Sequence, residues 1–252
     1  MKKYFFTIII FLLSCAPTEP VETYDDNAIL QLLLNIADPL IVESLRNEFD
    51  IDENGTIHTV WVQVSGNSKN IYYSYSEDGG INFSESVRVN IVSNHVVAYV
   101  GAGPRVRTYG DSIYVIWADS RNGYNNTSIY LNTSNDGGTN WQNEVMVSDQ
   151  LHFQLYSEME VDGQGYLHII YYNFGNSLQF LNVRYAKMQL DGMMLYESIP
   201  LGITAGETEP CDCCAPDMSV ADNGDVYVAY RNNVSNIRDH YIVKKSANSA
   251  EM

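Results

Sequence analysis

One eight-residue pattern occurs twice: Ser76-Glu77-Asp78-Gly79-Gly80-Ile81-Asn82-Phe83 and Ser134-Asn135-Asp136-Gly137-Gly138-Thr139-Asn140-Trp141. Both read Ser-x-Asp-x-Gly-x-x-aromatic, and their serines lie 58 positions apart (76 and 134). A repeat of this period constrains the fold strongly. Each unit has to be one supersecondary motif that buries its apolar face against the next unit.

The remaining periodicity agrees. Four apolar β-type runs, Ile57 to Trp61, Ile113 to Trp117, Leu167 to Tyr171 and Val226 to Tyr230, start 54 to 59 positions apart. Each follows a tight-turn signal: Asp52-Glu53-Asn54-Gly55, Tyr109-Gly110-Asp111, Asp162-Gly163-Gln164-Gly165 and Asp222-Asn223-Gly224-Asp225. A shorter run precedes each turn: Phe49 to Ile51, Pro104 to Arg107, Glu158 to Val161 and Asp217 to Val220. A third run follows (Ile71 to Tyr75, Ile129 to Thr133), and the repeated octapeptide turns it into a fourth (Val87 to Asn90, Val145 to Val147). Four strands per period predict an all-β chain, a β-propeller of four-stranded blades with about four blades visible. A barrel would need no such period, and a two-sheet sandwich would not repeat its turn chemistry. The 19 tyrosines suit strands better than helices.

The octapeptide has a mechanical role in this reading. Its Asp accepts backbone N–H groups, its glycines supply positive φ, and its aromatic plugs the blade's apolar layer. Ser76, Asp78, Gly80, Phe83, Ser134, Asp136, Gly138 and Trp141 are therefore structural.

These two octapeptides resemble the Asp-boxes, or BNR repeats, of the sialidase superfamily, over roughly Phe49 to the C-terminus. The resemblance implies a six-bladed propeller, so the visible blades are expected to be an incomplete six-bladed ring, the alternative being a smaller ring. Arg184-Tyr185-Ala186-Lys187 through Leu190-Asp191-Gly192 is a degenerate box, and Lys245-Ser246-Ala247-Asn248 stops where another would form. It also implies a retaining glycoside hydrolase that grips a carboxylated sugar with three arginines and uses Tyr, Glu and Asp in the displacement. The family's Arg-Ile-Pro motif is missing, and no arginine triad maps residue by residue.

At the N-terminus, Lys2 and Lys3 precede a largely apolar run of ten residues, Tyr4 to Leu13, too short to span a bilayer as a helix. Leu12-Leu13-Ser14-Cys15 then resembles a bacterial lipobox, with Cys15 the lipidated residue. Ala16 in place of Asp after this cysteine points to the outer membrane or cell surface. The expected organisation is a signal peptide over 1–14, a lipidated tether with a short N-terminal segment over 15–46, and the propeller over 47–252. Asn27 to Arg46 reads as a short helix or irregular segment interrupted by Pro39. The formal net charge of −17 excludes nucleic acid as the main partner and leaves the lipid anchor as the only membrane contact.

Function has to sit elsewhere than in the boxes. Aligning the short first runs places Asp50, Arg105, Glu158 and Asp217 in one column, and Asp52, Arg107, Glu160 and Ser219 in the column two residues on. Repeated charge on inner strands means either a polar pocket at the axis or salt bridges between blades. On the pocket reading, Glu158, Arg105, Arg231 and Asp50 are the catalytic candidates, and Arg107, Asp119, Arg121 and Arg238 contact substrate. Asp119 and Arg121 also read as a loop-bracing ion pair. Cys211, Cys213 and Cys214 form the other unusual group. A disulfide, a Cu or Zn site, and a reactive thiol all fit three cysteines in an oxidising compartment. Cys-x-Cys-Cys also resembles a subgroup of exported BNR-repeat proteins. His58 and His168 occupy equivalent strand positions and read as packing residues. Two functions follow: hydrolysis of terminal sialic acid or another acidic glycan, or a non-catalytic propeller binding glycan or protein.

Overall fold

A computed structural model describes residues 43–99, 101–141, 144–148, 152–175, 179–190, 194–204, 210 and 214–247. Sixteen strands and one 3-10 turn make up the described structure. The first sheet has the order β1-β2-β3-β4: Glu43–Ile51, Ile57–Ser65, Ser68–Ser76 and Val87–Arg88. In the second, β5 (Val96–Val97) and β6 (Arg105–Tyr109) share one edge of β7 (Ser112–Asp119), followed by β8 (Ser128–Ser134) and β9 (Val145–Met146). The third is β10 (Phe153–Val161), β11 (Tyr166–Phe174), β12 (Phe180–Gln189) and β13 (Met194–Thr204). The fourth holds β14 (Asp217–Val220), β15 (Val226–Arg231) and β16 (His240–Lys245), three strands among the described residues. All pairings are antiparallel, and β1, β6, β10 and β14 touch in succession. These are blades arranged around their first strands, as the period predicts.

The strands form because their β-branched and aromatic residues fit a surface covered on both faces. Trp117, Ile116 and Ile113 of β7 are almost wholly buried, as are Tyr171, Ile170 and Ile169 of β11. Strands buried on both faces read as continuous apolar runs, which is why these segments stood out in the sequence. The first strand begins at Glu43, so the last positions of the segment expected to be helical or irregular are strand instead. Pairing with β2 overrides the weak local signal there.

The two octapeptide turns are built alike. Ser76 Oγ donates to Asp78 Oδ1 (2.8 Å) and accepts from Gly80 N–H (2.9 Å), while Asn82 N–H and Nδ2 donate to the two Asp78 oxygens (2.9 and 2.7 Å). Ser134, Asp136, Gly138 and Asn140 repeat these bonds at 2.8, 2.9, 2.8 and 2.7 Å. The second turn also docks on the preceding blade. Tyr73 of β3 lies edge-on to Trp141 (5.4 Å between centroids) and donates to the Gly137 carbonyl at 3.4 Å.

His58 and His168 do more than pack. Each lies between an aspartate of the preceding turn and a tyrosine of the third strand. Asp162 Oδ2 meets His168 Nε2 at 2.9 Å, and His168 Nδ1 meets Tyr185 Oη at 2.9 Å. Asp52, His58 and Tyr73 repeat this at 3.4 and 2.8 Å. The same aspartates accept the turn's own N–H groups, from Asn54 and Thr56 and from Gln164 and Tyr166. Blades one and three thus share a motif that locks turn, second strand and third strand together.

Candidate functional site

The pairing register defines which residues stand level on the inner strands. Glu48 pairs with Val60, Arg105 with Ile116, Glu158 with Ile170 and Asp217 with Ala229, each partner directly preceding the aromatic that ends its run. One step on, Asp50, Arg107, Glu160 and Ser219 stand level. The sequence alignment had placed Asp50 beside Arg105 and Asp52 beside Arg107, so blade one is corrected by two residues. A shift of two keeps the same side of the strand, so the face was right and the height along the axis was wrong. The short first run had been started at Phe49, whereas β1 begins earlier. Glu48, which that alignment missed, was legible in the alternation Glu48, Asp50, Asp52.

Glu48, Arg105, Arg107, Glu158 and Glu160 form one network. Arg105 Nε donates to Glu158 Oε2 (2.7 Å), and its Nη1 lies 3.8 Å from Glu48 Oε2. Arg107 Nη2 reaches Glu158 Oε1 (3.2 Å) and Glu160 Oε1 (3.0 Å), while Nη1 reaches Glu48 Oε1 (3.4 Å). Two guanidiniums of blade two thus join carboxylates of blades one and three. Burial works against the charge on both arginines, and Glu158 leads the carboxylates that outweigh it and raise their pKa values. Burial also raises the pKa of Glu48, opposed by Arg105, and that of Glu160, opposed by Arg107. Asp50 stands beside this network and accepts from Thr108 N–H (2.9 Å) and Oγ1–H (2.7 Å).

A cavity of about 740 Å³ opens at the turn end of these strands. Glu48, Asp50, Asp52, Arg107, Thr108 and Glu160 are among its lining residues. Among the described residues, carboxylates dominate its charged wall and Arg107 is the lone arginine.

Asp119 and Arg121 belong to a different network. Asp119 is wholly buried and accepts from Trp117 Nε1 (3.1 Å), from Arg121 N–H (2.9 Å) and from the Arg121 guanidinium (2.8 and 2.9 Å). Arg121 also bonds Glu144 and stacks on Tyr130, 3.9 Å from the ring centroid. Glu144 in turn accepts from Ile91 N–H (2.6 Å). This arrangement braces the loops around β7 and β9, and nothing local in the sequence pointed to Glu144. Arg231 Nη1 lies 3.9 Å from Cys214 Sγ. Arg238 is exposed and donates to Asn233 Oδ1 (3.2 Å). Cys15, Cys211 and Cys213 lie outside the described residues.

No protein-family model matches the sequence, and no curated protein matches it. Solved structures do match. An α-L-arabinanase of Penicillium chrysogenum, solved with arabinobiose, superposes with a TM-score of 0.62 at 13% identity, over 83% of this chain and 64% of that one. The chain is a β-propeller. An α-L-arabinofuranosidase of Fusarium graminearum, solved with an iminosugar inhibitor, gives 0.56 at 12% identity, over 79% of this chain and 66% of that one. An ulvan lyase of polysaccharide lyase family 25 gives 0.55 at 14% identity, over 79% and 52%. This propeller spans just under two thirds of the length of the first two enzymes. At such identities the likeness establishes the fold and leaves the chemistry to the site.

Proposed function

We propose that this chain is the glycan-handling propeller of a cell-envelope lipoprotein, and that it hydrolyses glycosidic bonds at the axial cavity. The observation that carries the reading is the set of carboxylates gathered on one open cavity wall, Glu48, Asp50 and Glu160, where burial raises the pKa values of Glu48 and Glu160 against the opposing pull of Arg105 and Arg107. A carboxylic acid that stays protonated closer to neutrality can protonate the leaving oxygen as the C–O bond breaks. A second carboxylate, for which Asp50 is proposed, takes the proton of the attacking water or bonds the anomeric carbon itself. The fold is shared with enzymes whose names specify arabinan and ulvan cleavage. The resemblance of the two octapeptides to Asp-boxes supports the same class, and Leu12-Leu13-Ser14-Cys15 supports the lipid anchor.

Electrostatics favour a neutral polysaccharide over sialic acid. Arg105 and Arg107 already face glutamates, so binding a sugar carboxylate there would require breaking buried ion pairs. The cavity wall is itself rich in carboxylates and repels an anion.

The test is release of reducing ends from a panel of neutral polysaccharides by the full-length protein. Glu160→Gln and Glu48→Gln are expected to lower the rate by about 10²-fold or more with binding retained. Wild-type protein that binds a glycan and releases no reducing ends over any pH would refute hydrolysis. A non-catalytic binding propeller would then stand. One observation favours that second reading: Glu158, a catalytic candidate from the sequence, is occupied by Arg105, Arg107 and the Met159 N–H (3.0 Å).

A further inference from the structure

The inner strands share an irregularity at one height. Opposite Trp61, β1 carries an extra residue between Leu45 and Asn47. In the equivalent place of blade three, Leu155 pairs with Tyr172 and Glu158 with Ile170, so Tyr156 and Ser157 bulge out opposite Tyr171. Blade two expands the same point. Val97 pairs with Ala118 and Arg105 with Ile116, and the chain between β5 and β6 leaves the sheet opposite Trp117. Bulges of this kind re-aim side chains at strand ends.

Here they re-aim tyrosines. Tyr156 has φ +55°, a left-handed conformation that a bulky residue rarely adopts, at the bulge of blade three. Tyr99 lies in the blade-two excursion, held by reciprocal backbone bonds with Ala102 (2.9 and 3.0 Å). Tyr124 comes from the loop after β7, on a 3-10 turn Tyr124–Asn126 that follows Gly123 at φ +99°. The loop is tied to the start of β10, because Gln154 N–H donates to the Thr127 carbonyl (3.0 Å). Tyr99 and Tyr124 share a hydroxyl–hydroxyl bond of 2.7 Å and are 41% and 50% exposed. Behind them the Tyr124 ring rests on Phe153 (5.2 Å between centroids), and Tyr156 rests on Tyr172 (5.6 Å). Burial, the hydroxyl bond shared with Tyr124 and the nearness of Tyr124 and Tyr156 hold the Tyr99 hydroxyl protonated.

We propose that Tyr99 and Tyr124, with the buried Tyr156 beside them as part of the aromatic base, form a sugar-stacking platform that takes an uncharged saccharide ring of a polysaccharide chain. A sugar ring presents C–H groups on one face and hydroxyls at its rim. Rigid tyrosines that keep ring area exposed on a packed aromatic base, with hydroxyls hydrogen-bonded to each other, match both features at small entropic cost. The platform lies at the start of β10, where Tyr124 rests on Phe153, whereas the axial cavity reaches Glu160 near its end, about 20 Å further along the strand. It is therefore a second contact site for a chain long enough to span both. The inference rests on the glycan reading above and is independent of catalysis.

Binding of neutral arabino-, xylo- and cello-hexaose to the full-length protein tests it, by titration calorimetry at neutral pH. Tyr124→Ala is expected to weaken the hexaose that wild-type protein binds by about tenfold or more, since aromatic anchors dominate such contacts. Tyr99→Phe, which keeps the ring, is expected to stay within about threefold, as the loss of one exposed hydroxyl contact is small. Far-ultraviolet circular dichroism of both variants is expected to match wild type. Hexaose binding that Tyr124→Ala leaves within about twofold overturns the platform and spares the glycan reading, because a lost hot spot costs more than that. Absence of wild-type binding to all three hexaoses overturns the platform, and absence of binding to acidic oligosaccharides titrated alongside them overturns the glycan reading as well.

Discussion

Replacing Gly138 by alanine sets two costs against each other that Gly80 separates. Both glycines sit at φ +90° in the same position of the repeated turn, so an alanine at either pays the same backbone strain, about 1–2 kcal/mol. Both substitutions also reduce the freedom of the unfolded chain equally, so that contribution cancels between them. The neighbours differ. A Cβ on Gly80 would lie 3.7 Å from Ile57 Cδ1, an ordinary contact. A Cβ on Gly138 would lie 2.6 Å from Tyr73 Cζ and 2.8 Å from Cδ1, closer still to Cε1. Tyr73 cannot swing aside freely, because it is buried, bonded to His58 Nδ1 (2.8 Å) and held against Trp141. Overpacking of a filled site adds about 1–3 kcal/mol. Gly138→Ala is therefore expected to lose about 1–3 kcal/mol more than Gly80→Ala, a Tm lower by about 2–12 °C for a chain of this size. Urea unfolding followed by tryptophan fluorescence gives the comparison from the two midpoints at a shared slope. Equal midpoints for the two variants would refute the claim that the second turn is seated on the neighbouring blade.

Acid should destabilise the protein in two stages. Burial lowers the pKa of His168 despite Asp162, so the folded state binds that proton more weakly than the unfolded chain; stability is full above about pH 6.5 and falls as pH drops below it. Asp78 is held at about 2 by bonds from Asn82 and Ser76, and Asp225 at about 2 by Lys244 and the Ala247 N–H. Their contribution is present above about pH 4 and is lost as pH falls toward 2, so a thermal-melt series should show His168→Gln removing only the upper stage. Arg107→Met should cost on the order of 2–3 kcal/mol in urea titrations, because it leaves Glu160 without its guanidinium and three neighbouring carboxylates to share Arg105. The figure sits below the fully buried range, since Glu48 and Glu160 keep 27% and 31% of their side-chain surface exposed. Restored stability in Arg107→Met with Glu158→Gln would show that like-charge repulsion is the cause, and no restoration would refute it.

Much of the fold was legible because a propeller repeats its chemistry at each blade. The turn aspartates, the positive-φ glycines and the doubly buried apolar runs all carry short-range physical requirements that recur in the sequence. The site was legible in part. Alternating charge on the first strands marked Arg105, Arg107, Glu158 and Glu160 as facing one side. It did not reveal the height of blade one, because a two-residue slip leaves the facing unchanged. His58 and His168 were visible as equivalent positions, but their aspartate and tyrosine partners emerge only once turn and third strand are paired.

The platform tyrosines show the limit most clearly. Tyr99, Tyr124 and Tyr156 stand at no common spacing and come from an excursion, a loop and a bulge. Local sequence determined that this chain builds blades, where each turns, and which strand faces carry charge. Tertiary structure decided which charges meet, that Gly138 must stay bare beneath Tyr73, and that three unrelated tyrosines share one end of the molecule. Turn chemistry and strand alternation act over a few residues, whereas blade-to-blade register depends on packing between segments more than fifty residues apart, such as Arg105 with Glu158 and Tyr73 with Gly137.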